Sequence, residues 1–173
     1  AMVFFFFSLQ EAVDLTYNAW DYAERYRNPV MILMDGCLGA IMEEVELPEM
    51  KELKIEHTED WDLSRANGRN EAHMVTPILP EPALEMLNRA KGMVYNMMWP
   101  MDAKVEEYLI DDAEYVVVAY GIAARVAKEA INALRAKGVN IGMIRPITLY
   151  PFPKSIENLD YSKVKGIIDI EMT

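Results

Sequence analysis

The pattern that most restricts how this chain can fold is a strand, a glycine and a striped helix in direct succession. Tyr115-Val116-Val117-Val118-Ala119 is a continuous apolar run, Gly121 makes a turn, and Ile122, Val126, Ala130, Ile131 and Leu134 recur at helical spacing up to Lys137, before Gly138. An apolar run without alternation suits a strand covered on both faces, as in a parallel sheet, and glycine is favoured just past a helix C-terminus. A returning strand is expected over Asn140 to Arg145, stopped by Pro146. After the proline-rich turn Tyr150-Pro151-Phe152-Pro153, a helix over Ser155 to Leu159 and a further strand over Gly166 to Ile170 are predicted.

The same alternation opens the chain. Val3-Phe4-Phe5-Phe6-Phe7 reads as a buried strand, and Ser8-Leu9-Gln10-Glu11 is a capping box in which the serine oxygen accepts from the Glu11 N–H and the Glu11 carboxylate reaches the Ser8 N–H. Ala12, Leu15, Ala19, Ala23 and Tyr26 form the apolar stripe of a helix closed by Asn28-Pro29, and Val30 to Met34 returns as a strand. Residues 3–36 therefore read as one βαβ unit with Asp35 at the carboxyl edge of its second strand. Between about Ala40 and Pro100 lie five prolines and several charged stretches, which read as a connector with a helix near 82–98. The fold class is α/β with a mostly parallel sheet.

Charge and cysteine count narrow the function. With 17 Lys+Arg against 28 Asp+Glu the net charge is −11, and there is no basic patch to overcome that field at a phosphate backbone, so nucleic acid is not an expected partner. Cys37 is the single cysteine, which excludes an intrachain disulfide, a four-thiolate iron–sulfur cluster and a Cys-based zinc site within the sequence. The longest apolar run, Met2 to Phe7, is far short of the roughly 20 residues needed to span a bilayer, so no membrane association is expected and a cytoplasmic location is the default. Ala1 precedes Met2, so Met2 reads as the encoded start.

Asp35-Gly36-Cys37-Leu38-Gly39 is the most suggestive short motif, because α/β sheets bind ligands beyond the carboxyl ends of their strands and glycine permits close backbone approach. The plainer alternative is that Asp35 caps the following turn and the glycines serve its geometry. Cys37 reads as a small buried hydrophobe, since no His or basic residue adjoins it. Gly121 and Arg125 lie where a strand feeds a helix N-terminus, a position suited to anions, but one glycine in place of G-x-G-x-x-G argues against a nicotinamide dinucleotide. Arg125 either points to a partner or packs on the sheet edge. His57 and His73 lack zinc spacing, and Glu59-Asp60-Asp62 and Asp111-Asp112-Glu114 lack a calcium-loop pattern; the acids read as solvated caps. No serine lies in a G-x-S-x-G elbow, and the 13 methionines read as adaptable core or interface filling.

Three ordered blocks carry a family resemblance. They are Ser8-Leu9-Gln10-Glu11 with Asp14-Leu15-Thr16, Tyr26-Arg27-Asn28-Pro29-Val30, Asp35-Gly36 and Leu38-Gly39; then Asp112 to Gly121 with Arg125 and Leu134-Arg135-Ala136-Lys137-Gly138; then Arg145-Pro146-Ile147-Thr148-Leu149-Tyr150-Pro151-Phe152-Pro153 with Glu171-Met172. Over residues 8–173 the chain resembles the α subunit of the 2-oxoacid:ferredoxin oxidoreductases, on the 2-oxoisovalerate branch. The resemblance implies the tail of a thiamine-diphosphate pyrimidine-binding domain over about 3–45, a connector over 46–100, and a three-layer domain similar to the transketolase C-terminal domain over 101–173.

Members of the family decarboxylate a 2-oxoacid on thiamine diphosphate, pass single electrons through iron–sulfur clusters to ferredoxin and transfer the acyl group to coenzyme A. The family's cofactor-activating glutamate falls in a part that precedes residue 3, and the diphosphate-and-magnesium motif belongs to another subunit, so the resemblance assigns no catalytic residue and no metal ligand to these positions. Asp35, Gly36, Gly39, Gly121 and Arg125 are the expected cleft or interface residues. The expectation is a truncated α subunit, inactive alone, that docks on the β and γ/δ subunits while thiamine diphosphate, magnesium and the clusters are held in the whole complex. Exposed edges at Val3–Phe7 and Gly166–Thr173 are expected to support such association or a homodimer. The competing expectation is a non-catalytic α/β module in which Gly121 and Arg125 bind a small anionic ligand.

Overall fold

The computed structural model describes residues 1–52, 80–154, 156–160 and 162–172. His57, His73 and Glu59-Asp60-Asp62 lie outside the described residues. Two compact units are distinguished, one of residues 1–48 with 93–173 and one of residues 49–92.

In the first unit, β1 (Met2–Phe5) and β2 (Val30–Leu33) are parallel, in register from Met2 against Val30 to Phe5 against Leu33, with α1 (Leu9–Tyr26) between them in sequence. Ser8 caps α1 by accepting from the Glu11 N–H at 3.2 Å, as its spacing predicts. The return half of the capping box differs: Glu11 Oε2 accepts from the Phe7 N–H at 3.1 Å instead of from Ser8, because the same carboxylate is forked by Arg145. α1 ends at Arg27, which adopts φ 44°, while the Asn28 N–H donates to the Ala23 carbonyl at 3.1 Å.

On its other side β1 pairs antiparallel with β6 (Thr148–Tyr150), giving the order β2-β1-β6. The expected exposed edge at Val3–Phe7 is therefore corrected: β1 is the central strand, and Met2, Phe4 and Phe6 are buried with Leu15, Tyr22, Tyr26, Leu38 and Met98. A strand inside a proline-rich segment carries little local signal, since proline limits pairing to edges, and β6 is such an edge.

The second sheet has the order β3-β5-β4-β7, with β3 (Val105–Tyr108), β4 (Tyr115–Ala119), β5 (Ile141–Pro146) and β7 (Gly166–Ile170). β4 is parallel to both β5 and β7, and β3 is antiparallel to β5. The α/β class and mostly parallel pairing match the sequence expectation. α4 (Gly121–Arg135) buries Ala124, Ala127 and Ile131 against Val117, Ala119 and Met143. Every residue of β5 is buried, which explains the apolar Ile141, Met143 and Ile144; Arg145 is its one charged residue. The helix predicted over Ser155 to Leu159 is not formed among its described residues, where 156–159 make turns; Ile156 and Leu159 pack on Ala113, Val116 and Ile144. β7 remains an edge, with Ile167, Ile168 and Ile170 exposed.

The predicted connector helix exists and is longer, α3 (Glu81–Asp102), started by Ala83 and Leu84 N–H groups donating to the Pro80 carbonyl. Its part from 93 to 102 belongs to the first unit, where Met98 is fully buried and Asp102 accepts from Arg25 and from the Tyr26 hydroxyl. Of the second unit, residues 49–52 and 80–92 are described, including an Arg89–Glu85 pair at 2.6 Å one turn apart on α3.

Candidate functional site

Two sequence-distant groups of predicted residues meet where α4 begins. The chain leaves β2 through Asp35 into the short helix α2 (Gly36–Ala40), in which Leu38 is the buried residue and the Gly39 N–H donates to the Asp35 carbonyl at 3.1 Å. The Asp35 side chain does not cap α2. It crosses to α4 and accepts from the Ile122 N–H at 2.6 Å, supplying an acceptor and a negative charge to the helix N-terminus that Tyr120, the N-cap residue, does not cap with its own side chain.

Gly121 makes this approach possible. It adopts φ 58°, and a Cβ there would overlap both Asp35 Oδ2 and Phe5 Cε1. Phe5 also meets the Tyr120 ring edge-on at 5.0 Å. Burial, followed by the nearby charges of Glu171, Asp169 and Asp35, pushes the Tyr120 hydroxyl above its ordinary value.

Arg125, one turn into α4, pairs with Glu43, a residue that the sequence did not single out. Glu43 also accepts from the Leu9 N–H at 3.0 Å, at the start of α1, and its carboxyl is held below the usual range by that backbone bond and then by Arg125. Gln10 brackets the same strap, donating to the Glu46 carbonyl at 3.0 Å and accepting from the Glu46 N–H at 2.8 Å. The segment 35–46 is thus pinned at the N-termini of both α4 and α1 by its own carboxylates. Asp35, Gly121 and Arg125 come together here; Gly36 and Gly39 follow on α2, and Gly36 has open space where a Cβ would point.

Cys37 is exposed, which corrects its reading as a buried residue: a five-residue helix has one inward position, and Leu38 takes it. Of the acidic residues near β4, Asp112 pairs with Arg135 at 2.7 Å and Glu114 with Lys165 at 2.7 Å.

A second set missed by sequence reading is centred on Arg145, whose side chain is 3% exposed. Its fork donates to Glu11 at 2.8 and 3.0 Å, and its Nε donates to Glu106 at 2.7 Å, while Lys128 of α4 donates to the other Glu106 oxygen at 2.5 Å. Two buried or half-buried cations are balanced by two carboxylates, as burial requires. The local signal was only an arginine before proline; the partners lie 39 and 134 residues away.

Among the described residues, no three His, Cys, Asp or Glu side chains converge on a metal position. The tight cradle at Gly121 is filled by Asp35 and Phe5, and the surrounding charge from Asp35, Asp169 and Glu171 is negative. These residues do not fit a magnesium-bound diphosphate, and no chemical step is assigned to them. No described helix is long and apolar enough to cross a membrane.

Comparison with known proteins gives two family matches: residues 1–108 to "Pyruvate flavodoxin/ferredoxin oxidoreductase, thiamine diP-bdg" and residues 113–173 to "Pyruvate:ferredoxin oxidoreductase core domain II". The chain is 43% identical to ketoisovalerate oxidoreductase subunit VorB of Methanothermobacter thermautotrophicus, over 84% of this chain and 41% of that protein. It is 31% identical to 2-oxoglutarate synthase subunit KorA of Methanocaldococcus jannaschii, over 95% of this chain and 50% of that protein. The chain thus spans half or less of the length of these relatives. A solved 2-oxoglutarate:ferredoxin oxidoreductase from Magnetococcus marinus shares the fold, with a TM-score of 0.74 at 19% identity over 99% of this chain and 35% of that one. The family match over residues 1–108 covers more than half the sequence, and the chain belongs to the pyruvate flavodoxin/ferredoxin oxidoreductase family.

Proposed function

We propose that this chain works within a thiamine-diphosphate-dependent 2-oxoacid:ferredoxin oxidoreductase of the 2-oxoisovalerate type, as α-subunit structure that docks other subunits and forms part of the cofactor cleft. The observation that carries this reading is the 43% identity to a ketoisovalerate oxidoreductase subunit across 84% of the chain. The strap at Asp35 to Gly39, held against α4, is the part we place at the cleft. Thiamine diphosphate, magnesium and the iron–sulfur clusters are held by the assembled complex; thiamine diphosphate, when bound there, supplies the carbanion stabilisation that decarboxylation of a 2-oxoacid needs. One cysteine is short of the four thiolates that a cluster takes, so we place electron transfer outside these 173 residues.

Docking is assigned to the β7 edge, where Ile167, Ile168 and Ile170 are exposed on the outermost strand of the sheet among the described residues. A stand-alone anion-binding role is less well supported, because Asp35 already occupies the α4 N-terminus and Glu43 already pairs with Arg125. The test is to purify the 173-residue chain and assay 2-oxoisovalerate-dependent reduction of a viologen dye, alone and after mixing with the β and γ/δ subunits. No turnover alone and co-elution with those subunits are expected. Turnover by the isolated chain, or failure to co-elute, would overturn the proposal.

A further inference from the structure

Arg145 sits at the point where the chain leaves the second sheet and enters the first: it is in β5, Pro146 ends that strand, and β6 begins at Thr148. The other crossing, from α3 into β3, runs alongside, with the Ile147 and Thr148 N–H groups donating to the Lys104 carbonyl at 3.0 and 3.2 Å and the Lys104 N–H donating to Thr148 Oγ1 at 2.9 Å. The two family-matched regions therefore exchange strands. β3, from the region matched over 1–108, lies in the second sheet, and β6, from the region matched over 113–173, lies in the first.

At this crossing the Arg145 guanidinium, from the region matched over 113–173, lies 4.0 Å from the Phe7 ring centroid and donates to two carboxylates of the region matched over 1–108, Glu11 on α1 and Glu106 on β3. Glu106 passes the tie to α4 through Lys128, whose ammonium also lies 4.5 Å from the Tyr108 ring centroid. One buried cation thus joins α1, β3 and α4. The first turn of α1 in turn holds the strap through Leu9 and Gln10, and the far end of the strap, Asp35, must meet Ile122 on α4.

We propose that Arg145 is a positioning residue: its fork onto Glu11 and Glu106 sets α1 against α4 and so holds the Asp35–Gly39 strap closed on the α4 N-terminus. The significance of that position for a cofactor cleft rests on the function proposed above; the positioning itself does not. A planar fork is needed, since an ammonium on a flexible stem cannot bond both oxygens of Glu11 and one of Glu106 in fixed directions.

Arg145→Lys in the full chain tests this through site-resolved amide hydrogen exchange. At least a ten-fold acceleration at Ile122 and Leu9, the two amides held by Asp35 and Glu43, is expected while Val117 and Val118 in β4 change by less than two-fold. Unchanged exchange at Ile122, or equal acceleration at every amide, would show a purely structural arginine and overturn the proposal. If Arg145→Lys does not fold, Glu11→Gln is read in the same way, and failure of both variants to fold would also overturn it, because Arg145 would then determine the fold instead of placing the strap. Normal turnover by an assembled complex carrying folded Arg145→Lys with fast Ile122 exchange would remove the cleft reading and leave the positioning role standing.

Discussion

The Asp35 carboxylate accepts a 2.6 Å hydrogen bond from the backbone N–H of Ile122, so a residue at the end of one strand caps a helix at an amide 87 residues further along the chain. A cap of this kind combines an acceptor for an orphan N–H with a negative charge at the positive end of the helix dipole. Asp35→Ala should lower stability by about 1–2 kcal/mol, and Asp35→Asn, which keeps an acceptor, by less. Urea denaturation of the chain measures both; equal and negligible losses would mean the contact contributes nothing.

Gly121→Ala tests the same junction from the other side. The residue has a positive φ of 58°, and a Cβ would be driven into Asp35 and Phe5, so strain and collision act together. A loss of at least about 2 kcal/mol is expected, with the α4 amides exchanging faster than those of β5. Gly36→Ala, where the space is open, is the control and should cost less than about 1 kcal/mol.

Acid should loosen the molecule through three carboxylates. Burial alone would raise Glu106, but hydrogen bonds from Lys128 and Arg145 outweigh it and leave the group below its ordinary value. Glu43 is lowered by the Leu9 N–H and Arg125, and Asp112 by Arg135. Each folded-state value lies below the unfolded one, so the stabilisation is complete above the unfolded values, 4.5 for Glu and 3.8 for Asp, and is lost as pH falls through the depressed folded values. The urea midpoint should be insensitive to these groups above about pH 6 and fall progressively below about pH 5. A midpoint that rises on acidification to pH 4 would contradict the pairing.

The β7 edge is open to a change that leaves the core alone. Ile168 is 43% exposed, so Ile168→Lys should preserve the folded chain while weakening co-elution with partner subunits by ten-fold or more, as a charge at an apolar contact does. Sedimentation and size-exclusion chromatography of the mixed subunits measure it. Unchanged association would move the docking surface elsewhere.

Local elements were readable where their signal is local. Ser8 announced α1, the Tyr115–Ala119 run announced β4, and Gly121 marked the turn into α4, since capping, periodicity and glycine conformation all act within a few residues. β3 and β6 were not readable, because four- and three-residue strands are stabilised by neighbours contributed from distant parts of the chain. Glu11 shows both cases at once. Its place in a capping box was visible, whereas its bond to Arg145, 134 residues away, and the resulting shift from Ser8 to the Phe7 N–H were not.

By itself the sequence determined the α/β class, the order of the main strands and helices, and the family blocks, because each depends on side-chain pattern along a continuous stretch. Only the tertiary structure decided that β1 is central, that Asp35 serves α4 instead of its own turn, and that Arg125 is already matched by Glu43. Those outcomes turn on which charges and unpaired backbone groups the folded chain brings within about 3 Å of one another, a distance that sequence separation does not encode.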